Sequence, residues 1–522
     1  MNVINFRSEI QTIILDASYR SNPAAAFYEI CGQKKHTLLL ESAEINKRKQ
    51  LESMMIIDTA VRIMGFKKTV IFESFSKNGQ YLLNRLSTIL PKTVKFSFYK
   101  NKVKLVFPNF KKDLDEDKKI HSLSVFDSFR FIFQLIKSPL NQPKAVFFGG
   151  LFSYDLINNF ESLPDLKSIH QCPDFCFYLS EVLLIIDHLK KNSILQGSIF
   201  YENDFEKLRI KKRLYNIYKK LNHSPILIPE KKVFPSPVTC NFSDMEYKHI
   251  VKNMKNYIKK GEVFQVVPSR KFSLFCPYPL SAYYRLKLNN PSPYMFYMQD
   301  RNFILFGSSP ESSLKYNPKN RKIEIYPIAG TRPRGTDKYG KFDLDLDNRI
   351  ELEMRTNHKE LAEHLMLVDL ARNDLAKICI PGSRFVSNLT NVDRYSHVMH
   401  LVSKVVGILR YDLDFLHAYA ACMNMGTLSG APKVRAMQLI SQTERLKRGS
   451  YGGSIGYFTE SGILDTCIVI RSAYIEHQIA TIQSGAGIVL DSIPEEESLE
   501  SRNKAQAVIN AIIQSNYLQD SL

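Results

Sequence analysis

The chain has 522 residues, 44% of them hydrophobic and 11% aromatic, enough for about two to four domain-sized units with a sizeable core. Its formal net charge is +19, but the lysines are strewn through NKRKQ, YKNKVK, LKKNS, KKRLYNIYKK and PEKKV. They form no patch interleaved with aromatics, which argues against a nucleic-acid-binding protein. No apolar run approaches the roughly 20 residues that cross a bilayer. The opening stretch carries Arg7 and Glu9 before a short apolar patch, unlike a secretory signal, so a soluble cytoplasmic protein is expected.

In chain order, HTLLLES (36–42) and KAVFFGGLFSYDL (144–156) read as strands in an otherwise uneven first part. DFEKLRIKKRLYNIYKKLN (204–222) has helical spacing, and the proline-rich stretch 222–238 reads as a linker. Beyond it the pattern is more regular. Residues 244–267 predict an amphipathic helix ending near Gly261, then a strand. FILFGSSPESSLKYN (303–317) and KIEIYPI (322–328) alternate like strands, and 357–377 reads as a helix. Residues 454–490 predict several antiparallel strands turning at Ser461-Gly462 and His477-Gln478. A closing helix over 492–513 is expected, with Ser492 as its cap, Pro494 in its first turn and Glu495 completing a capping box. The fold class is α+β, without the regular alternation of a doubly wound sheet.

The eight cysteines are scattered. Only Cys172 and Cys176 lie close together, and no second pair completes a zinc site, so reduced and mostly buried thiols are expected. Two helices each place acids at i, i+3 spacing: Glu360 with Glu363, and Glu497 with Glu500. Each pair shares a helix face, and two facing pairs would suit Mg²⁺, although helix acids are commonly just solvated. The turns GTLSGAPK (426–433) and QSGAGIV (483–489) could aim backbone N–H groups at a carboxylate, or be ordinary tight turns. Arg471, in mid-run in CIVIRSAYI, wants a carboxylate. His400 sits among apolar neighbours, where a core histidine is the plainer reading. YPIAGTRPRG (326–335) offers a flexible Gly330, a stiff Pro333 and two arginines around the small Ala329, a reasonable wall for an anion.

Together FGSSPES, PIAGTRPRG, EHLMLVDLARNDL, GTLSGAPK, YGGSIGYF, DTCIVIR, SGAGIV and ESLESRNKA resemble the chorismate-utilising enzyme family, over roughly residues 240 to 515 and in the family's order. The resemblance implies that family's fold, antiparallel sheets packed face to face with helices outside. It implies a catalytic domain over 240–522 and an N-terminal regulatory region over 1–230. Family members that attack chorismate with water carry a lysine where this chain has Gln265, and those that make aminodeoxychorismate carry one where it has Ala329. With neither lysine, the nucleophile must come from outside and react without a base, which ammonia does. The implied reaction is that of the branch making anthranilate: addition of ammonia at ring carbon 2, loss of the 4-hydroxyl, then elimination of pyruvate.

By the same resemblance, Mg²⁺ is held by Glu360, Glu363, Glu497 and Glu500, and Glu360 also counts as catalytic. Glu311 matches the acid that protonates the leaving hydroxyl, and a raised pKa is expected of it. His400 matches the histidine of the elimination. Gly330, Thr331, Thr427, Tyr451, Arg471, Gly485, Ala486, Gly487 and Lys504 match substrate-contacting positions. LLLES and NPSPYMFYM resemble tryptophan-binding elements, which makes Leu40, Glu41, Ser42, Pro293, Tyr294 and Met295 the effector candidates. The implied partner is a glutamine amidotransferase subunit in a heterotetramer of two large and two small chains. The rival readings are aminodeoxychorismate synthesis and a non-catalytic basic protein that binds nucleic acid.

Overall fold

The computed structural model describes residues 8–42, 51–108, 115–168, 170–222, 237–336, 341–394 and 398–516. The expected linker lies largely outside the described residues. Two long strands, Glu52–Phe66 and Phe175–Asp187, pair antiparallel from Gly65↔Phe175 to Glu52↔Asp187 and form the spine of the sheet. Both are buried almost throughout. Strands covered on both faces read as unbroken apolar runs, which is why SMMIIDTAVRIMGF shows no alternation.

From this spine an antiparallel ladder runs in two directions. On one side Thr37–Glu41 joins Tyr294–Gln299, which pairs with Ile304–Ser309, then Ser472–Glu476, Ile479–Gly485 and Ser269–Phe275. On the other, Phe147–Phe152 joins Ser454–Thr459, then Leu464–Ile468, Ser312–Asn317, Lys322–Ile325 and Val398–Ile408. Strands before and after the linker therefore share hydrogen bonds. The expected turn at His477-Gln478 is a two-residue hairpin with both residues at positive φ, as a right-twisted ribbon requires.

Helices cover the sheet. Asp244–Lys259 starts on a complete capping box, Ser243 with Glu246, and Gly261 follows it at φ +76°. The helix His358–Ala376 is capped by Asn357 and is preceded by a further helix, Leu344–Thr356, that the periodicity did not mark. The closing helix is Pro494–Asn516. Its expected cap is corrected: the Ser492 hydroxyl accepts from Val489 N–H at 3.1 Å, and Glu495 pairs with Lys248 instead of completing a box.

One aromatic core links the two parts of the chain. Phe129 meets Phe148, Phe177 and Phe458 edge-on, with ring centroids 5.9, 5.5 and 5.1 Å away. Among the described residues no helix is long and apolar enough to cross a membrane.

Backbone approach sets the position of the glycine turns. Gly430 has φ +131°, and a Cβ there would stand 2.1 Å from Gln265 O. Gly261 has a positive φ but open space around it. Gly430→Ala is expected to destabilise the fold by more than about 2 kcal/mol and Gly261→Ala by about 1 kcal/mol, compared by urea unfolding midpoints.

Candidate active site

The strand Ile328–Pro333 runs beside the first turn of the helix His358–Ala376. Gly330, at φ +71°, lets them touch: a Cβ there would lie 2.7 Å from Glu360 Oε2. Glu360 Oε1 pairs with Arg332 at 2.6 Å, whereas Oε2 is buried and accepts no hydrogen bond. A buried carboxylate oxygen is not stably left bare, and an oxygen donor of this kind fits a hard divalent cation.

His400 lies opposite Thr331 in the ladder, and the buried Ala329 lies opposite Leu401. Burial, reinforced by cationic Arg471, holds the His400 pKa at about 4, against a hydrogen bond with the Gly330 backbone. The ring is therefore neutral at pH 7 and able to take a proton. Arg471 itself is not in mid-strand as expected. It occupies the break between Leu464–Ile468 and Ser472–Glu476 at φ +49°. A non-glycine residue in that region is strained, and such strain gathers at functional positions. Burial lowers the Arg471 pKa, opposed by the charges of Glu500 and Tyr451.

Glu311 is 8% exposed. Burial pushes its pKa up to about 8, with the Thr427 hydroxyl and the charge of Lys504 pulling the other way. Thr427 stands in the short turn Gly426–Leu428, pressed against the helix His358–Ala376: a Cβ on Gly426 would meet Leu370 Cδ2 at 2.3 Å. Lys504 Nζ bonds Gly485 O at 3.2 Å and Glu500 at 2.5 Å. Tyr451 takes a hydrogen bond from the Gly485 backbone. Ala486 N–H is spent on Tyr247 Oη at 3.2 Å. Gln265 is buried with its amide Nε2 toward Gly487, and its Oε1 has no hydrogen-bond partner.

These contacts place Glu311, Thr427, Lys504, Gly485, Tyr451, Glu500, Arg471, His400, Gly330 and Glu360 along one connected path of hydrogen bonds, close approaches and charge interactions. The four glutamates expected to hold the metal do not form a ready-made nest as they stand. Among the described residues no three His, Cys, Asp or Glu side chains stand close enough to share a metal ion. Arg332 draws Glu360 and Lys504 draws Glu500, while Glu497 is buried and Glu363 half-buried. The effector candidates do adjoin: Glu41 lies opposite Met295 and Leu40 opposite Phe296, with Tyr294 at the strand's start and Ser42 and Pro293 just outside the paired residues. The Glu41 carboxylate is buried and accepts from Tyr283 and, at 2.5 Å, from Lys287.

One supporting pair escaped the sequence reading. Arg448 is buried and doubly bonded to Glu444, at 2.6 and 3.0 Å. It also donates to Leu428 O and Val267 O, both at 2.6 Å, and lies over the rings of Tyr154 and Tyr451. Glu444 in turn accepts from Ser269 N–H and Oγ–H at 2.8 Å. The pair ties the Thr427 turn, the stretch after Gln265 and Tyr451 into one frame. An Arg and a Glu at i, i+4 was the only visible signal.

Residues 95–510 match the family model of chorismate binding enzymes. The chain is 62% identical to anthranilate synthase component 1 of Buchnera aphidicola subsp. Acyrthosiphon pisum (strain APS), over 97% of each chain. It is 56% identical to the Escherichia coli (strain K12) protein of the same name, over 98% of each. The chain belongs to the chorismate-binding enzymes, in the anthranilate synthase component 1 branch. Its fold matches the crystal structure of anthranilate synthase component I from Streptococcus pneumoniae TIGR4 with a TM-score of 0.67 at 26% identity, covering 89% of this chain and 93% of that one. The α+β reading, with antiparallel sheet and helices over it, therefore holds.

Breaking the buried pair by Arg448→Leu leaves Glu444 in the interior without its counter-ion, and is expected to cost about 3–5 kcal/mol in urea unfolding, with Glu444→Leu/Arg448→Leu recovering part of it. Glu311 gives a pH signature. The fold retains its proton up to about pH 8, whereas an ordinary glutamate releases it near 4.5. The folded state thus binds more protons in that window, and this group's contribution to stability falls as pH rises through it. Glu311→Gln should remove that slope, read from urea midpoints at about pH 5 and pH 8.

Proposed function

We propose that this chain aminates chorismate with ammonia and eliminates pyruvate to give anthranilate. Ammonia would be supplied from glutamine by a partner amidotransferase subunit, in a heterotetramer of two large and two small chains. The observation that carries the reading is Glu311: a carboxyl buried and held protonated beside Thr427, in a site where His400 is neutral and Arg471 is cationic and dry.

Each residue then has a task. Arg471 and Lys504 take the substrate carboxylates, and the Gly330 and Gly485–Gly487 turns shape the wall against which the ring lies. Thr427 and Tyr451 orient it. Glu311 gives its proton to the 4-hydroxyl as that group departs. Gln265 and Ala329 supply no base, so the wall activates no water and forms no bond of its own, while the bare Gln265 Oε1 can accept an N–H of incoming ammonia. Neutral His400 takes the ring proton in the elimination. Mg²⁺, when bound, would withdraw electrons through the ring carboxylate, and to hold it Glu360, Glu363, Glu497 and Glu500 would have to converge, with Glu360 turning from Arg332 and Glu500 from Lys504. The partnerless Glu360 Oε2 supports that assignment.

Residues 1–230 we read as regulatory and 240–522 as catalytic. The juxtaposition of Leu40, Glu41 and Ser42 with Pro293, Tyr294 and Met295 supports a site there for tryptophan as a feedback inhibitor.

The test is direct. The purified chain with chorismate, Mg²⁺ and ammonium at about pH 8, where Glu311 still holds its proton, is expected to develop anthranilate fluorescence, to lose it on chelation, and to be inhibited by tryptophan. Glu311→Gln is expected to lower kcat by about 100-fold or more. Aminodeoxychorismate as the product, or turnover indifferent to chelation, would overturn the reading.

A further inference from the structure

Asp374 is buried on the helix His358–Ala376 and has no part in the reaction above. It lines two cavities. The inner one, of about 20 Å³, is also walled by Glu311, Ser312, Thr427 and Tyr326. That is room for about one water, with enough polar neighbours to hold it. The outer one, of about 150 Å³, is also lined by Lys377, Met437 and Val434, the last 38% exposed at its rim. Lys433 Nζ donates to Asp374 Oδ2 at 2.5 Å and to Cys422 O at 3.0 Å, and it lines the outer cavity. Asp374 is thus shared by a water-sized space at Glu311 and a larger space reaching the surface, with Lys433 on the side of the larger one.

We propose that Asp374, held by Lys433, relays protons between Glu311 and solvent through these two cavities. The inference rests on Glu311 being the acid of the proposed reaction. As the C4–O bond breaks, the Glu311 proton passes to the hydroxyl, which leaves as water, and Glu311 is left as a carboxylate. The nitrogen that has added to the ring sheds one proton to solvent, so none is consumed overall, but one must travel back to Glu311. A water in the inner cavity gives a proton to Glu311 as it takes one from Asp374, and Asp374 regains one from solvent in the outer cavity. The groups facing Asp374 suit a carrier: burial raises its proton affinity, while Lys433 and Lys377 lower it. Cys422, whose thiol burial keeps protonated, adds no charge, and Tyr326 and Glu311 face it across the inner cavity.

Asp374→Asn keeps the shape and an acceptor for Lys433 but carries no proton. In the whole chain, with free ammonium, saturating Mg²⁺ and varied chorismate, kcat is expected to fall about tenfold or more with KM for chorismate within about twofold of wild type. Formate, small enough for the outer cavity, is expected to restore part of kcat in the variant and to leave wild type unchanged. A kcat within about twofold of wild type, or a loss that formate does not move while KM rises in step, overturns the relay. Val434→Phe, at the exposed rim, narrows the outer cavity without touching the pair and is expected to lower kcat several-fold at unchanged KM. Unchanged kcat there overturns it even if Asp374→Asn does not fold. A wild-type chain that makes no anthranilate from chorismate and ammonium sinks the underlying reaction instead, which this assay separates from failure of the relay alone.

Discussion

Keeping bulk water away from Glu311 is the constraint on which the site depends. A carboxyl in water is ionised at neutral pH and cannot donate a proton. Here burial outweighs both the Thr427 hydroxyl and the charge of Lys504, and the proton stays on up to about pH 8. The same dryness strips His400 of its charge and presses on Arg471. One physical cause therefore leaves a protonated carboxyl and a neutral imidazole in one connected site, with opposite shifts from their ordinary values. It also makes the cationic Arg471 costly to keep unless a carboxylate answers it, so the site favours an anionic ligand before any specific contact is considered.

Dryness of this kind needs a rigid frame, and the frame is non-local. The Thr427 turn, the residues after Gln265 and Tyr451 meet at the Arg448–Glu444 pair, whose bonds span separate elements. A buried ion pair is a weak source of net stability, since desolvating both charges offsets most of their attraction. What it supplies is a fixed geometry, because each Arg448 guanidinium nitrogen has a named acceptor. Glycine does the complementary work. Gly330, Gly426 and Gly430 let backbone lie where any side chain would collide with Glu360, Leu370 or Gln265.

The part of this that sequence made legible follows from periodicity and spacing. Lys322–Ile325 alternates half-buried and buried residues as its sequence suggests, and the hairpin at His477-Gln478 and the capped helix from Asp244 were readable for local reasons. The spine strands were not, since burial on both faces erases the alternation. The helix Leu344–Thr356 hid behind its polar composition and ran straight into Asn357. Arg471 was misplaced because a non-glycine residue at positive φ leaves no mark in an apolar run. The glutamate pairs had legible spacing within each helix, but their distance across helices, and the hold of Arg332 and Lys504 on them, are tertiary facts. Glu41 and Met295 are far apart in the chain, and only the strand register joins them.

On the proposed reaction, discrimination between ammonia and water rests on what the wall lacks. Water is a poor nucleophile until a base removes its proton, and positions 265 and 329 hold an amide and a methyl group. Ammonia carries its lone pair without help and needs only to be oriented. A buried amide oxygen with no other partner, as at Gln265, suits that task, because leaving it unpaired costs about 1–3 kcal/mol that a donor N–H recovers. Water can donate to the same oxygen, so binding alone separates the two weakly. The separation comes in the bond-forming step, where bound water stays unactivated and bound ammonia does not need activation. A wall of this sort therefore selects its nucleophile by reactivity, and the same residues would be inert toward chorismate if no amine were delivered.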